Sequence, residues 1–211
     1  TATQQEIWQK IWPVLSKQYK RTATFLDYKD PWELLVAVIH SAQTTDDMVN
    51  RVTPELFAKY PGPKELSKAP TADIARIIRR IGYYNSKSKY IQETAKILLR
   101  DFKGIVPDND VDLQKLRGVG RKTAVAVLSN AFNKNIGIPV DTHVIRFVKR
   151  FFFSNATDPN EIEKELLEII PKKDWRRAGY AIKEYGRKEG RARNWKPEED
   201  PVWKIYTTVV K

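Results

Sequence analysis

Apolar residues recur every three to four positions along most of the chain, the spacing of helices that bury one face. Ile7, Ile11, Val14 and Leu15 make such a face, and Pro13 is expected to kink it. Asp30-Pro31 reads as an N-cap followed by proline at the first helical position, opening a helix that carries Leu34, Leu35, Val38 and Ile39. Val49, Val52, Leu56 and Phe57 predict another helix. A short one is expected from Thr71 to Ile81, stopped by Gly82, and a longer one through Ile91, Ala95, Leu98, Leu99 and Phe102. Leu113 and Leu116 end a short helix, Gly118-Val119-Gly120 must turn tightly, and Arg121 to Phe132 is apolar at helical spacing. Asp141 caps a helix through Val144, Ile145 and Val148. Glu161 to Ile170 stops at Pro171, and Trp175 to Glu189 is the last long helix. The tail is polar from Gly190 to Pro201 and apolar again from Val202 to Val210. Ile136 to Val140 is a short strand candidate, but Pro139 argues against a central strand. The pattern predicts an all-α protein with short connections, no tandem repeat and no linker.

Composition sharpens this picture. At 211 residues and 41% hydrophobic, the chain can form one large domain or two small ones around a packed interior. The formal net charge is +12, an excess that suits a polyanion. Ten Lys or Arg stand against three Asp or Glu between Lys172 and Lys196. A membrane surface fits less well than nucleic acid, because no helix pairs a basic face with a continuous Trp/Phe/Leu face. Apolar runs such as Leu34 to Ile39 are too short to cross a bilayer, and no basic-then-apolar leader opens the chain. There is no cysteine, which excludes disulfides, thiolate catalysis and any iron–sulfur cluster held by Cys. Two histidines, His40 and His143, are too few for a His-rich metal site. A cytoplasmic, nucleoid-associated monomer is expected.

The segment Leu116-Arg117-Gly118-Val119-Gly120-Arg121-Lys122 carries the chemistry. Glycine permits positive φ and close backbone approach, and the helix start that follows offers unpaired N–H groups and a positive dipole end. Together they form an anion nest suited to a nucleic-acid phosphate, with Val119 folded back as an apolar plug. A plain helix-turn-helix corner would use the same glycines. A dinucleotide site is disfavoured, since no strand precedes the hairpin and the third glycine is missing, and a Walker loop fails because its first glycine is absent. Lys122 lies in the first turn of that helix, where the dipole disfavours an ammonium; a solvated surface lysine is the plain alternative. A neutral amine there can attack a sugar carbon and form a Schiff base. Asp141 is the candidate carboxylate: an N-cap that stays ionised and stabilises an oxocarbenium-like sugar.

Leu116 to Phe132, followed by Ile138-Pro139-Val140-Asp141-Thr142-His143-Val144-Ile145-Arg146, resembles the hairpin-plus-aspartate signature of the endonuclease III family of helix-hairpin-helix glycosylases. Ser41-Ala42-Gln43-Thr44-Thr45-Asp46 and Ile81-Gly82-Tyr83-Tyr84-Asn85-Ser86-Lys87 resemble two further segments of that family, in the same order and at similar spacing. The resemblance covers residues 5 to 190 and implies two helical domains around a DNA-binding cleft. One is a six-helix barrel over residues 24–134 that includes the helix-hairpin-helix; the other joins 1–23 to 135–211. It implies that Lys122 attacks C1′ of a damaged nucleotide and that Asp141 assists from across the cleft. Gln43 would fill the hole left by an extruded base, and Tyr83 would be an aromatic wedge where the family often has leucine. Gly118, Val119, Gly120 and Arg121 would grip phosphate, with a monovalent cation at the hairpin. Lys87, Arg187 and Arg191 would contact DNA. His40, Ser41, Asp46 and His143 are candidates for the base pocket.

One departure is plain. An ungapped extension places the family's four cluster cysteines at Gly190, Pro197, Asp200 and Tyr206, none of which is a thiolate. The expectation is a cluster-free branch whose tail is held by Trp195, Trp203 and Tyr206 packing on the last helix. The implied function is excision of oxidised pyrimidines from duplex DNA with cleavage at the abasic site, needing no metal or redox cofactor. A uracil or thymine mismatch enzyme, an oxidised-guanine enzyme, or a non-catalytic DNA-binding module shares these motifs in part.

Overall fold

The computed structural model describes residues 2–191 and 193–210. Among them every regular element is helical. Helix α1 (Gln4–Gln18) comes first, followed by α2 (Pro31–His40), α3 (Asp46–Lys59), α4 (Pro63–Lys68), α5 (Thr71–Ile77), α6 (Tyr84–Asp101), α7 (Asp110–Leu113) and α8 (Arg121–Ala131). Then come α9 (Thr142–Arg150), α10 (Pro159–Ile169), α11 (Trp175–Lys188) and α12 (Pro201–Val210). The chain divides into two compact units, Phe25–Lys134 and Thr1–Thr24 with Asn135–Lys211. No helix of the described residues is long and apolar enough to cross a membrane.

The unit Phe25–Lys134 is built around α2, which is buried from Trp32 to His40 rather than on one face. Asp30 caps it by accepting from Glu33 N at 2.9 Å, with Pro31 next in line. Helix α4 escapes the periodicity because it is six residues long and buries only Leu66. Helix α5 ends at Ile77, not Ile81; the chain turns through Ile78–Tyr83 instead, with Ile78 and Ile81 still buried. Helix α6 then starts directly after Tyr83, a left-handed residue.

In the other unit, α1 opens with a capping box between Thr3 and Glu6. Pro13 does not interrupt it: the helix runs on to Gln18. Pro13 and Gln9, whose carbonyl loses its donor, both lie on the exposed side, where water serves instead. The core joins Trp8, Ile11 and Leu15 of α1 to Phe147 of α9, to Phe151 and Phe153 beyond it, and to Tyr185 of α11. Helix α12 packs along α1, and α11 along α9.

Candidate active site

In the unit Phe25–Lys134, the hairpin between α7 and α8 has the backbone the glycines demand. Gly118 takes φ +79°, and a Cβ there would sit 3.1 Å from the Tyr90 ring, so side chain and conformation are both disfavoured. Val119 is 7% exposed and donates its N–H to Leu116 O at 3.2 Å, so the plug is real. Gly120 occupies the N-cap of α8 with no side-chain cap. An added Cβ at Gly120 would meet nothing within 4 Å. No side chain caps the first turn of α8, which is the condition for an anion site at its N-terminus.

Lys122 is the second residue of α8; it is exposed and, among the described residues, makes no hydrogen bond or ion pair. Arg121 differs. Its guanidinium binds Asp110 at 2.8 Å, so the cation expected to contact phosphate is held by a carboxylate. This leaves Lys122 as the cation of that turn without a partner.

Gln43 and Tyr83, far apart in sequence, share one feature: both are left-handed, at φ 54° and 57°. Tyr83 is 72% exposed, an unusual position for a large ring. Gln43, Tyr83 and Gly118 line one cavity of about 230 Å³ together with Ser86, Lys87 and Tyr90. Ser41 is turned back on its helix, its hydroxyl donating to Val38 O at 2.8 Å.

Two expectations for this unit are corrected. Lys87 is 4% exposed and its ammonium bonds to oxygens of the protein, so it is not a phosphate contact. Burial pulls its pKa down to about 8. His40 is fully buried and, among the described residues, neither ring nitrogen has a partner; it belongs to the core rather than to a base pocket. Burial first, and the nearby Lys87 charge second, push it down to about 3. Asp46 is likewise buried, in the first turn of α3.

In the other unit, Asp141 caps α9: Oδ1 accepts from His143 N at 2.8 Å and Val144 N at 3.0 Å. That leaves Oδ2 outside the cap. His143 packs on α11, where a Cβ on Gly186 would lie 2.5 Å from its Nδ1. Burial lowers its pKa, against the pull of Asp141. Arg191 is exposed, whereas Arg187 is half-buried on α11. Along α9, a cavity of about 640 Å³ is lined by Thr142, Ile145, Arg146, Lys149 and Arg150 with Trp195 and Trp203.

The tail answers the missing cluster with a group that apolar periodicity does not single out. Asp200 is 1% exposed. Its Oδ2 accepts from Tyr185 Oη at 2.5 Å and Trp195 Nε1 at 2.8 Å, and its Oδ1 caps α12 through Val202 N at 2.9 Å and Trp203 N at 3.0 Å. Arg150 donates to the same Tyr185 oxygen at 2.9 Å and lies over the Trp195 ring at 3.9 Å. Burial, and then the carboxylate, hold the Tyr185 phenol protonated well above its ordinary range. Trp203 and Tyr206 pack on Phe151 at the end of α9, with ring centroids 5.9 and 5.4 Å away. The positions Gly190, Pro197, Asp200 and Tyr206 therefore do not fit an iron–sulfur cluster: one carboxylate is already saturated and the other three supply no thiolate. Among the described residues no group of His, Cys, Asp and Glu is placed to hold a metal ion. A local signal for Asp200 does exist, since Asp200-Pro201 repeats the cap-and-proline form of Asp30-Pro31.

A glycine hairpin running into an uncapped helix start, within an all-helical chain, defines a helix-hairpin-helix protein. Residues 36–172 match the HhH-GPD superfamily of base excision DNA repair proteins. The chain is 41% identical over 174 residues to endonuclease III of Synechocystis sp., covering 82% of this chain and 80% of the relative. It is also 41% identical over 181 residues to endonuclease III of Bacillus subtilis, covering 84% and 81%. Among solved structures, a trapped endonuclease III–DNA covalent intermediate, an estranged-adenine complex, aligns with TM-score 0.91 at 35% identity over 100% of both chains. The chain belongs to the endonuclease III family of the HhH-GPD superfamily.

Proposed function

We propose that this chain is a bifunctional DNA glycosylase and abasic-site lyase of base excision repair, acting on oxidised pyrimidines in duplex DNA. The observation that carries the reading is the exposed amine of Lys122, unpartnered among the described residues, in the first turn of a helix that starts uncapped directly after a glycine hairpin. A relative caught covalently on DNA supports the same chemistry.

The roles follow from the side chains. Gly118, Val119 and Gly120 present backbone to a DNA phosphate, and this hairpin is where a monovalent cation would be held, adding positive charge beside that phosphate. Gln43 and Tyr83 enter the duplex as the base leaves the stack, a step that costs on the order of a few kcal/mol and least for damaged pairs. Lys122 Nζ attacks C1′, and the base departs with the bonding electron pair and takes up a proton. Opening of the sugar gives an imine between Nζ and C1′. Loss of a C2′ proton then expels the 3′ phosphate, and water hydrolyses the imine to free the lysine. Asp141 stabilises the positive charge that develops on the sugar through the oxygen its cap leaves over. Arg191 and the exposed basic residues of its run add phosphate contacts. The route needs no redox cofactor. The protein acts as a cytoplasmic, nucleoid-associated monomer.

Borohydride trapping on duplex DNA with an abasic site tests this. The expected result is a covalent adduct that Lys122→Ala abolishes. Retarded DNA with no adduct would instead identify a non-catalytic binding module. A lesion panel of thymine glycol, uracil and oxidised guanine then ranks the substrate classes, and release of thymine glycol first is the expected order.

A further inference from the structure

Lys87 is placed where a lysine is doubly disfavoured. It sits in the first turn of α6, at the positive end of the helix dipole, and it is 4% exposed. Among the described residues no carboxylate pairs with it. A methionine would fill the same space without either cost. What the ammonium does instead is bind three oxygens of one short loop. It donates to His40 O at 2.8 Å, to Ala42 O, and to Thr44 Oγ1 at 3.4 Å. Those acceptors lie on both sides of Gln43.

The same loop is tied to the turn that carries Tyr83. Gly82 donates its N–H to Thr44 Oγ1 at 2.9 Å. The two backbones are so close that a Cβ on Gly82 would lie 2.6 Å from Gln43 O. Gln43 and Tyr83 are each left-handed, a conformation unfavourable for any residue with a Cβ. Such residues persist where their surroundings over-determine them. Here the surroundings are one ammonium, one threonine hydroxyl and one glycine.

We propose that Lys87 is a positioning residue that locks Gln43 and Tyr83 into a single two-pronged wedge, so that both prongs enter a DNA stack together. This rests on the glycosylase reading above. Lys87 touches no reacting atom. Its contribution falls on extrusion of a paired base, not on the bond-breaking steps at the sugar. An abasic site has no base to extrude, so it bypasses the step that Lys87 supports.

The test compares two substrates. Lys87→Met is expected to slow release of a base from a paired thymine glycol by at least about tenfold, while slowing cleavage of a preformed abasic site by less than about threefold. Duplex DNA with 2-aminopurine opposite the lesion gives the spectroscopic readout: the unstacking signal seen with wild type is reduced. Thr44→Val removes the oxygen that joins the two segments, leaves Lys87 in place, and should show the same split. If Lys87→Met fails to fold, Thr44→Val decides. Equal loss on both substrates, or no loss on either, overturns the proposal. A wild-type protein that releases no base and traps no abasic site sinks the glycosylase reading instead, and that result is scored first.

Discussion

Replacing Asp200 by alanine should release the C-terminal tail, and the size of the effect can be worked out bond by bond. The carboxylate accepts from Tyr185 Oη, Trp195 Nε1, Val202 N and Trp203 N, all while 1% exposed. Loss of an N-cap costs about 1 kcal/mol. Bonds to a charged acceptor contribute about 1.5–3 kcal/mol each, and removal of the acceptor leaves the Tyr185 O–H and the Trp195 indole N–H without an acceptor. Part of this is recovered as the tail frays and water enters. The expected net loss is about 4 kcal/mol. For a chain of this size that corresponds to a fall in Tm of about 8–16 °C. Asp200→Asn keeps an oxygen for the cap and should lose only about 1–2 kcal/mol. Thermal unfolding followed by circular dichroism, with tryptophan fluorescence to report on Trp195 and Trp203, measures both. An Asp200→Ala protein within about 1 kcal/mol of wild type would show that ring packing alone holds the tail, and the hydrogen-bonded account would be wrong.

Other outcomes follow from single residues. Asp141→Asn retains a competent cap but no charge, so stability should move by less than about 0.5 kcal/mol while base release falls by about 10²–10³-fold; single-turnover kinetics beside a melting curve checks the split. Gly118→Ala imposes φ +79° on a residue with a Cβ and pushes that Cβ to 3.1 Å from Tyr90, so a loss of about 1–2 kcal/mol and weaker binding to undamaged duplex are expected. His40 titrates near 6.5 unfolded and about 3 folded, so the unfolded chain takes up a proton the folded one refuses and stability falls as pH drops through that window, by up to about 1.4 kcal/mol per pH unit. Above that window the histidine adds no pH dependence. His40→Leu should flatten the acid limb of denaturant midpoint against pH; an unchanged limb would mean that His40 is not the group responsible.

What is legible in the chain is whatever depends on neighbours in sequence. The cap-and-proline pair at Asp30-Pro31, the cap at Asp141 and the 3.6-residue rhythm of α6, α8 and α11 are local signals, and the helices follow them. Helix α4 is not legible because Leu66 alone cannot make a rhythm. Pro13 lies inside α1 without ending it, because the cost of its missing donor depends on which side of the helix faces water, a tertiary fact. Lys87 reads as a surface cation because nothing in Asn85-Ser86-Lys87 says that the side chain folds inward over His40 and Ala42. Gln43 and Tyr83 carry no local hint of positive φ, since the rule of thumb there would demand glycine or asparagine. The hairpin chemistry at Gly118, Gly120 and Lys122 is visible in sequence because two glycines bracketing one apolar residue directly before a helix force both a tight turn and an uncapped helix start.

The closure of the tail has a consequence for how the protein is made. Every part of the fastening around Asp200 is an ordinary side chain, already present when the polypeptide leaves the ribosome. With no cysteine in the chain, no cluster held by Cys has to be assembled for this end to fold. Material expressed in iron-starved cells, or purified in air with a strong chelator, should be indistinguishable in fold and activity from material made with neither restriction.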